Sequence, residues 1–272
     1  MKSTDWDNYP WMGVLPPNRP DAENLSLLDA TVSQLRRKRV AAVLGSTPEY
    51  RSRLDVSFDT VLVLERSLPF KESVDWMCGG NTSSEQLVLG DWLETLPSLA
   101  GCCDLVVSHY THGNIAFDRR DHFYELVARS LAPGGLFFDT IFQPELPLVS
   151  AGTLERKYSL APLNLATLNH LNCDAIFLGE HVREAGYVDS ELSYQWVAEN
   201  CSEGIQRLME AVHRYVTPRG YRWDYAVDRA CAQLGYHQHF TTLTSHRPTW
   251  PSPFQHAVTL QVSEAKAHVR IA

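Results

Sequence analysis

Five short apolar runs recur along the first half of the chain: Arg39 to Leu44 (RVAAVL), Thr60 to Glu65 (TVLVLE), Gln86 to Leu89, Asp104 to Ser108 (DLVVS) and Leu136 to Phe142 (LFFDTIF). A run that is apolar at nearly every position, not at alternate ones, fits a strand covered by helices on both faces. The intervening segments carry a helical period. Ala22 to Arg37 places Leu25, Leu28, Val32 and Leu35 on one face. A second helix opens at Pro48, where Thr47 is a good N-cap, Pro48 suits the first helical position and Glu49 complements the dipole. A short helix carries Val74, Trp76 and Met77, and another spans Arg120 to Leu131. Strand-plus-helix units in this succession predict an α/β fold with a doubly wound, mostly parallel sheet. Right-handed crossovers then bring every strand tip to one edge.

The pattern changes after Gln143. Leu160 to Leu171 is Leu-rich and helical, and Tyr187 to Cys201 is mixed and aromatic. The stretch from about 143 to 204 is expected to be a helical lid insertion shaping an acceptor pocket. Helices over Glu203 to Tyr215 and Trp223 to Leu234 follow. Tyr236 to Ser245 and His256 to Val262 then alternate apolar and polar, which predicts a C-terminal antiparallel hairpin at the sheet edge. Ala132-Pro133-Gly134-Gly135 reads as a tight reversal before the fifth run. Residues 1–21 are rich in Trp, Tyr and Pro and form a semi-rigid arm, leaving residues 22–272 as a single domain.

Composition narrows the function classes. A formal charge of -8 argues against a nucleic-acid scaffold. The basic cluster Arg36-Arg37-Lys38-Arg39 falls where a helix should end, which the helix dipole favours. No apolar stretch reaches the roughly 18 residues of a membrane span, and the N-terminus lacks the apolar centre of a signal peptide. A cytoplasmic protein without membrane or nucleic-acid partners is therefore expected. The six cysteines show no zinc spacing. His237-x-His239 reads as two imidazoles on one face of an edge strand, better taken as surface than as a metal pair, so no metal is expected.

The chemistry concentrates at the predicted strand tips. Glu65 ends the most apolar strand about twenty residues after the turn Gly45-Ser46-Thr47-Pro48, placed to accept hydrogen bonds from a ribose diol. Gly45 permits close backbone approach, and Asp91 and Trp92 follow the third strand. Beyond the fourth strand lie Ser108, His109, Tyr110, His112 and Asn114, then Asp118, Asp121 and His122. Histidine titrates nearest to working pH, and His112, on the loop, is the preferred candidate over a half-buried His109.

In this order the motifs resemble the class I S-adenosylmethionine-dependent methyltransferases, in particular the small-molecule branch whose first motif reads G-x-T-P-E. That motif is Gly45-Ser46-Thr47-Pro48-Glu49 here; Glu65 matches the acidic end of strand two. Gly90-Asp91-Trp92 matches G-D-W, and Leu131-Ala132-Pro133-Gly134-Gly135 matches L-x-P-G-G. The resemblance covers roughly residues 22 to 142 and, more loosely, the final hairpin. It implies a seven-stranded Rossmann-like sheet and S-adenosyl-L-methionine as cofactor. Gly45, Ser46, Thr47, Glu49, Glu65, Asp91, Trp92 and Ser108 would contact that cofactor, and His112, His109 and Tyr110 would stand at the reacting end. The expected activity is methyl transfer to nitrogen or oxygen of a small, secondary-metabolite acceptor, with a homo- or heterodimer as the assembly to test for. The chain departs from the branch at Ser108-His109-Tyr110, where a small or acidic residue and a glycine are usual. Bulky side chains there suit one rival, an enzyme on this fold that eliminates or cyclises without methylating, as in aziridine ring closure; the other rival is a non-catalytic partner subunit, which the absence of a cleft would favour.

Overall fold

The computed structural model of the chain describes residues 10–16, 18–79, 83–142, 148–225, 235–249 and 258–267. Helix α1 (Ala22–Gln34) opens with a capping box. Asp21 accepts from the Asn24 N–H at 2.9 Å, and the Asn24 side chain accepts from the Asp21 N–H at 3.1 Å, so two orphan donors of the first turn are satisfied reciprocally. The remaining units follow in order: β1 (Val40–Leu44), α2 (Pro48–Asp55), β2 (Thr60–Glu65), α3 (Leu68–Asp75), β3 (Glu85–Leu89), α4 (Trp92–Thr95), β4 (Cys103–His109), α5 (Arg120–Ser130) and β5 (Leu131–Phe142).

A predominantly helical stretch comes next: α6 (Ala151–Tyr158), α7 (Leu165–Asn172), α8 (His181–Ala185), β6 (Val188–Asp189), α9 (Ser190–Asn200), α10 (Glu203–Tyr215) and β7 (Arg222–Trp223). Strands β8 (Phe240–His246) and β9 (Val258–Ala265) close the chain. The large sheet has the order β3-β2-β1-β4-β5-β9-β8. Strands β1 to β5 pair in parallel, and β8 runs antiparallel to β9. The five parallel strands are those that the apolar runs predict, and the whole is the mostly parallel, seven-stranded Rossmann-like sheet that the resemblance implies.

The described residues divide into two compact units. One, drawn from residues 19–141, 233–248 and 259–272, carries the sheet; the other, drawn from 1–18, 142–232 and 249–258, carries α6 to α10 and the β6–β7 pair. In the first unit, alternate residues of each strand feed different cores. Ala42, Leu44, Val106 and Phe137 join Phe123, Val127, Tyr236 and Phe240 on one face. Ala41, Val43, Val107 and Phe138 join Leu28, Val32, Tyr50 and Leu54 on the other. Burial on both faces is why these strands are apolar throughout. In the second unit, Asn169 accepts from the Leu15 N–H at 2.9 Å and donates to the Gly13 carbonyl at 2.9 Å, which ties residues 13–15 to α7.

Several elements differ from expectation. Helix α1 stops at Gln34, because Leu35 turns extended and buries its side chain. Residues 132–135 do not reverse the chain; they bulge within β5, where the register moves from Cys103↔Leu131 to Leu105↔Leu136. Gly134 takes φ +79°, and a Cβ on Gly135 would lie 2.7 Å from the Cys103 carbonyl oxygen, so the two glycines make this bulge feasible. Trp223 is in strand β7, not a helix; residues 226–234 of that expected helix lie outside the described residues. Residues 235–239 are helical and β8 begins only at Phe240. His237 and His239 therefore do not share a strand face, and His239 instead meets Asp121 at 3.0 Å.

Candidate functional site

The sequence-predicted residues gather at two corners of one sheet edge. At the first, Gly45 follows β1 with φ +94°, a conformation that glycine adopts without a steric penalty. Its N–H bonds the Leu64 carbonyl at 2.8 Å. The same carbonyl accepts from the Trp92 indole N–H at 2.8 Å, so one acceptor joins the tips of β1 and β2 to the start of α4. The Trp92 ring lies against Gly45: a Cβ there would sit 3.8 Å from it. Trp92 is half-buried and packs on the core.

Glu65 is the centre of this corner. Its Oε2 accepts from the Ser46 hydroxyl at 3.0 Å, and its Oε1 accepts from the backbone N–H of Arg66 at 2.9 Å and of Ser67 at 3.0 Å. The residue is 5% exposed. Burial raises its carboxyl above the ordinary range, and the Ser67, Ser46 and Arg66 donors pull the other way. Thr47 precedes α2, but its hydroxyl makes no capping bond, while Pro48 takes the first helical turn as expected. Glu49 has a partner that the sequence did not indicate: Arg19 donates to its Oε1 through Nε at 2.7 Å and also through Nη2. Asp91 is exposed and caps α4 by accepting from the Leu93 N–H at 2.9 Å.

At the second corner, β4 and β5 end side by side. Ser108, expected to meet a cofactor, faces the α5 core instead. It is 1% exposed, and its hydroxyl donates to the carboxyl of Asp139, its register neighbour. Strand alternation sends Val106 and Ser108 to one face and Val107 and His109 to the other. Asp139 is also 1% exposed, and burial pushes its carboxyl up to about 7 against the single opposing hydrogen bond from Ser108. His109 is half-buried. Its Nδ1 stands 3.4 Å from the Tyr50 hydroxyl, which is itself 3.3 Å from the Thr140 hydroxyl. Tyr110 follows with φ +56°, the one non-glycine residue in the left-handed region among the described residues. Its ring lies 4.2 Å from that of His109.

His112, the preferred candidate, does not stand open on its loop. His112 is 2% exposed, because a tight turn over Thr111–Asn114 folds inward. Arg120, at the start of α5, anchors that turn by donating to the carbonyls of His112 at 3.1 Å and Ile115 at 3.3 Å. Asp118, Asp121 and His122 are exposed, and His122 faces Glu125 at 3.3 Å. Among the described residues no group of three His, Cys, Asp or Glu side chains is arranged to hold a metal ion, and no helix is long and apolar enough to cross a membrane. Sequence reasoning missed Tyr50, Asp139, Thr140 and Arg19. Asp139 was readable as the one charge within LFFDTIF, and Tyr50 directly follows the first motif; Arg19 and Thr140 carry no comparable signal.

No protein-family model matches the chain, and no curated protein matches it by sequence. Solved structures do. The chain is similar to the PH0226 protein of Pyrococcus horikoshii OT3, with a TM-score of 0.56 at 13% identity over 94% of this chain and 98% of that one. It is similar to DhpI in its complex with SAH, with a TM-score of 0.52 at 13% identity over 91% and 86%. A third similarity is to the N-methyltransferase NodS of Bradyrhizobium japonicum WM9 in complex with S-adenosyl-L-homocysteine, with a TM-score of 0.53 at 10% identity over 96% and 93%. At such identities the similarity establishes the fold. The chain has the fold of the class I S-adenosylmethionine-dependent methyltransferases.

Proposed function

We propose that this chain is an S-adenosylmethionine-dependent methyltransferase acting on nitrogen or oxygen of a small molecule. The observation that carries the reading is the state of Glu65. A carboxylate offers about four lone-pair sites, and three are occupied here, two by backbone N–H groups and one by Ser46. The backbone donors fix the carboxylate at the strand tip. Oε2, bonded to Ser46, retains capacity for a hydroxyl, and rotation of Ser46 would admit the second hydroxyl of a diol. These residues fit a ribose. Trp92 beside Gly45 supplies a flat face for a base, and the cofactor would bring the activated methyl group. Two of the similar structures hold S-adenosylhomocysteine, which supports the same cofactor here.

A second reading is favoured by one specific feature. The rings of His109 and Tyr110 lie tilted against each other at the tip of β4, with centroids 4.2 Å apart, where a methyl donor would need room. An elimination or ring-closing reaction on this fold needs no such room. Calorimetric titration with S-adenosylmethionine and S-adenosylhomocysteine separates the two. Micromolar binding of both is expected, and Glu65→Ala is expected to weaken it by roughly 100-fold, the loss of charge-assisted bonds worth about 1.5–3 kcal/mol each. A folded protein that binds neither compound, or a Glu65→Ala variant with unchanged affinity, would overturn the assignment, and the first outcome would favour the second reading.

A further inference from the structure

We propose that β3 pairs antiparallel with β3 of a second copy of this chain across a two-fold axis, so that the protein assembles as a homodimer through this edge of its sheet. The inference is independent of the methyl-transfer reading. Strand β3 ends the large sheet: it pairs with β2 on one side, and among the described residues no strand lies beyond it. The Val61 N–H bonds the Ser84 carbonyl at 2.9 Å, and the Gly90 N–H bonds the Glu65 carbonyl at 3.0 Å. Backbone groups of residues 84 and 90 therefore face β2, and alternation along the strand turns those of Glu85, Leu87 and Leu89 outward. The side chains of these three share one face of the sheet. Glu85 is sealed there by Arg51, which donates to it through Nε at 2.9 Å and Nη2 at 2.7 Å. Leu87 and Leu89 are 38% and 55% exposed, although strands of a parallel sheet are ordinarily covered on both faces.

An open strand edge is a template for another strand, and proteins blunt it with charge, proline, a bulge or a cover. The opposite edge of this sheet is blunted. Strand β8 shifts register against β9 between Thr242 and Thr244, most of its side chains carry hydroxyls, and His246 at its end bonds Glu23 of α1. Strand β3 reads Glu-Gln-Leu-Val-Leu and keeps an unbroken register with β2. It has no proline, and its one charge is turned inward onto Arg51.

A second copy fits this edge by symmetry. Directly opposed residues of an antiparallel ladder exchange both of their backbone bonds. With Leu87 on the two-fold axis, Leu87 meets the second copy's Leu87, and Leu89 meets the second copy's Glu85. All three outward-facing residues are then bonded in both copies, which is an isologous contact. No unpaired charge opposes the approach, because each Glu85 stays with its own Arg51. Trp76 widens the apolar surface: it is 62% exposed and follows Asp75, the other carboxylate on Arg51. Leu87, Leu89 and Trp76 together expose roughly 350 Å², toward the about 800 Å² per partner that a stable interface buries. The strand edge and the exposed start of α3 at Leu68 and Pro69 add to it. The interface adjoins the first corner, since Leu89 is the register neighbour of Glu65.

The test is sedimentation velocity of the full chain over a concentration series. The wild type is expected to show a monomer–dimer equilibrium with a Kd in the micromolar range. Leu87→Lys sets like charges opposite each other on the axis and is expected to weaken the dimer by roughly 100-fold or more at an unchanged thermal midpoint. Leu243→Lys, at a half-exposed position of the β8 edge, is expected to leave the dimer intact. A wild type that stays monomeric up to about 100 µM, a hundredfold above a micromolar Kd, would overturn the proposal, as would a dimer that Leu87→Lys leaves intact. Should Leu87→Lys fail to fold, hydrogen exchange of the wild type at low and high concentration replaces it. Slower exchange of the Leu87 and Leu89 amides at high concentration supports the proposal, and unchanged rates overturn it.

Discussion

Two carboxylates stand at tips of the same sheet and live in different chemistry. Glu65 ends β2 with three hydrogen-bond donors; Asp139 lies near the end of β5 with the Ser108 hydroxyl. Both are nearly sealed from solvent, and burial raises both. What separates them is the number of donors that stabilise the charged form. Three donors oppose desolvation at Glu65, so that corner is built to present an acceptor. One donor opposes it at Asp139, whose carboxyl titrates near 7, so that corner is built to retain a proton. Burial alone does not assign a role to an acid; the local donor count does.

The largest test of this contrast is Asp139→Asn. The folded chain holds the Asp139 proton up to about pH 7, whereas the unfolded chain releases it near its ordinary value of 3.8. The folded state therefore binds more protons between those limits, and stability falls as pH rises through that window. Asparagine can still bond Ser108 and does not ionise. Relative to wild type, Asp139→Asn is expected to gain stability steadily from pH 4 to pH 8, by on the order of 4 kcal/mol in total, at about 1.4 kcal/mol per tenfold change in proton affinity. Urea denaturation across that range reads it. A difference that does not grow with pH would remove the contrast with Glu65.

Those corners also differ in how far the sequence reveals them. The first is legible because its residues come from contiguous motifs. Gly45, Ser46 and Glu65 lie at the ends of two adjacent apolar runs, and the strand order makes neighbours of them. The second depends on facts that one-dimensional patterns do not carry. Whether Ser108 or His109 faces the α5 core follows from strand phase, and His112 is buried because Arg120, eight residues later, draws its turn inward. The bulge at residues 132–135 escapes the sequence for a related reason: a proline and two glycines signal a break in regular pairing, but the cross-strand register with Cys103 decides between a bulge and a reversal. The helical start of residues 235–239 hides inside an alternating pattern, since Tyr236 and Phe240, the two residues that pack into the core, are four apart and so fit either period.

Trp92→Phe sharpens the first corner at smaller scale. Phenylalanine keeps an aromatic face beside Gly45 but loses the indole donor to Leu64. The Leu64 carbonyl retains the Gly45 N–H, so no acceptor is orphaned. A loss of about 1 kcal/mol is expected, measured as a lower urea midpoint at unchanged slope. A larger loss would mean that the indole, not the strand ladder, holds the β1 and β2 tips together.

The smallest expected effect separates two roles of Asp91. Its Oδ1 caps α4 through the Leu93 N–H, and a cap alone accounts for an acidic residue at that position. Serine caps about as well, so Asp91→Ser should change stability by less than about 0.5 kcal/mol. The carboxylate is nevertheless exposed at the tip of β3, close in the fold to the Trp92 and Gly45 pair. If that charge also caps the bound nucleoside, serine should weaken S-adenosylmethionine binding by roughly fivefold, less than one charge-assisted hydrogen bond is worth. Calorimetry on a variant already shown to be as stable as wild type makes the distinction clean. An unchanged affinity would confine Asp91 to helix capping.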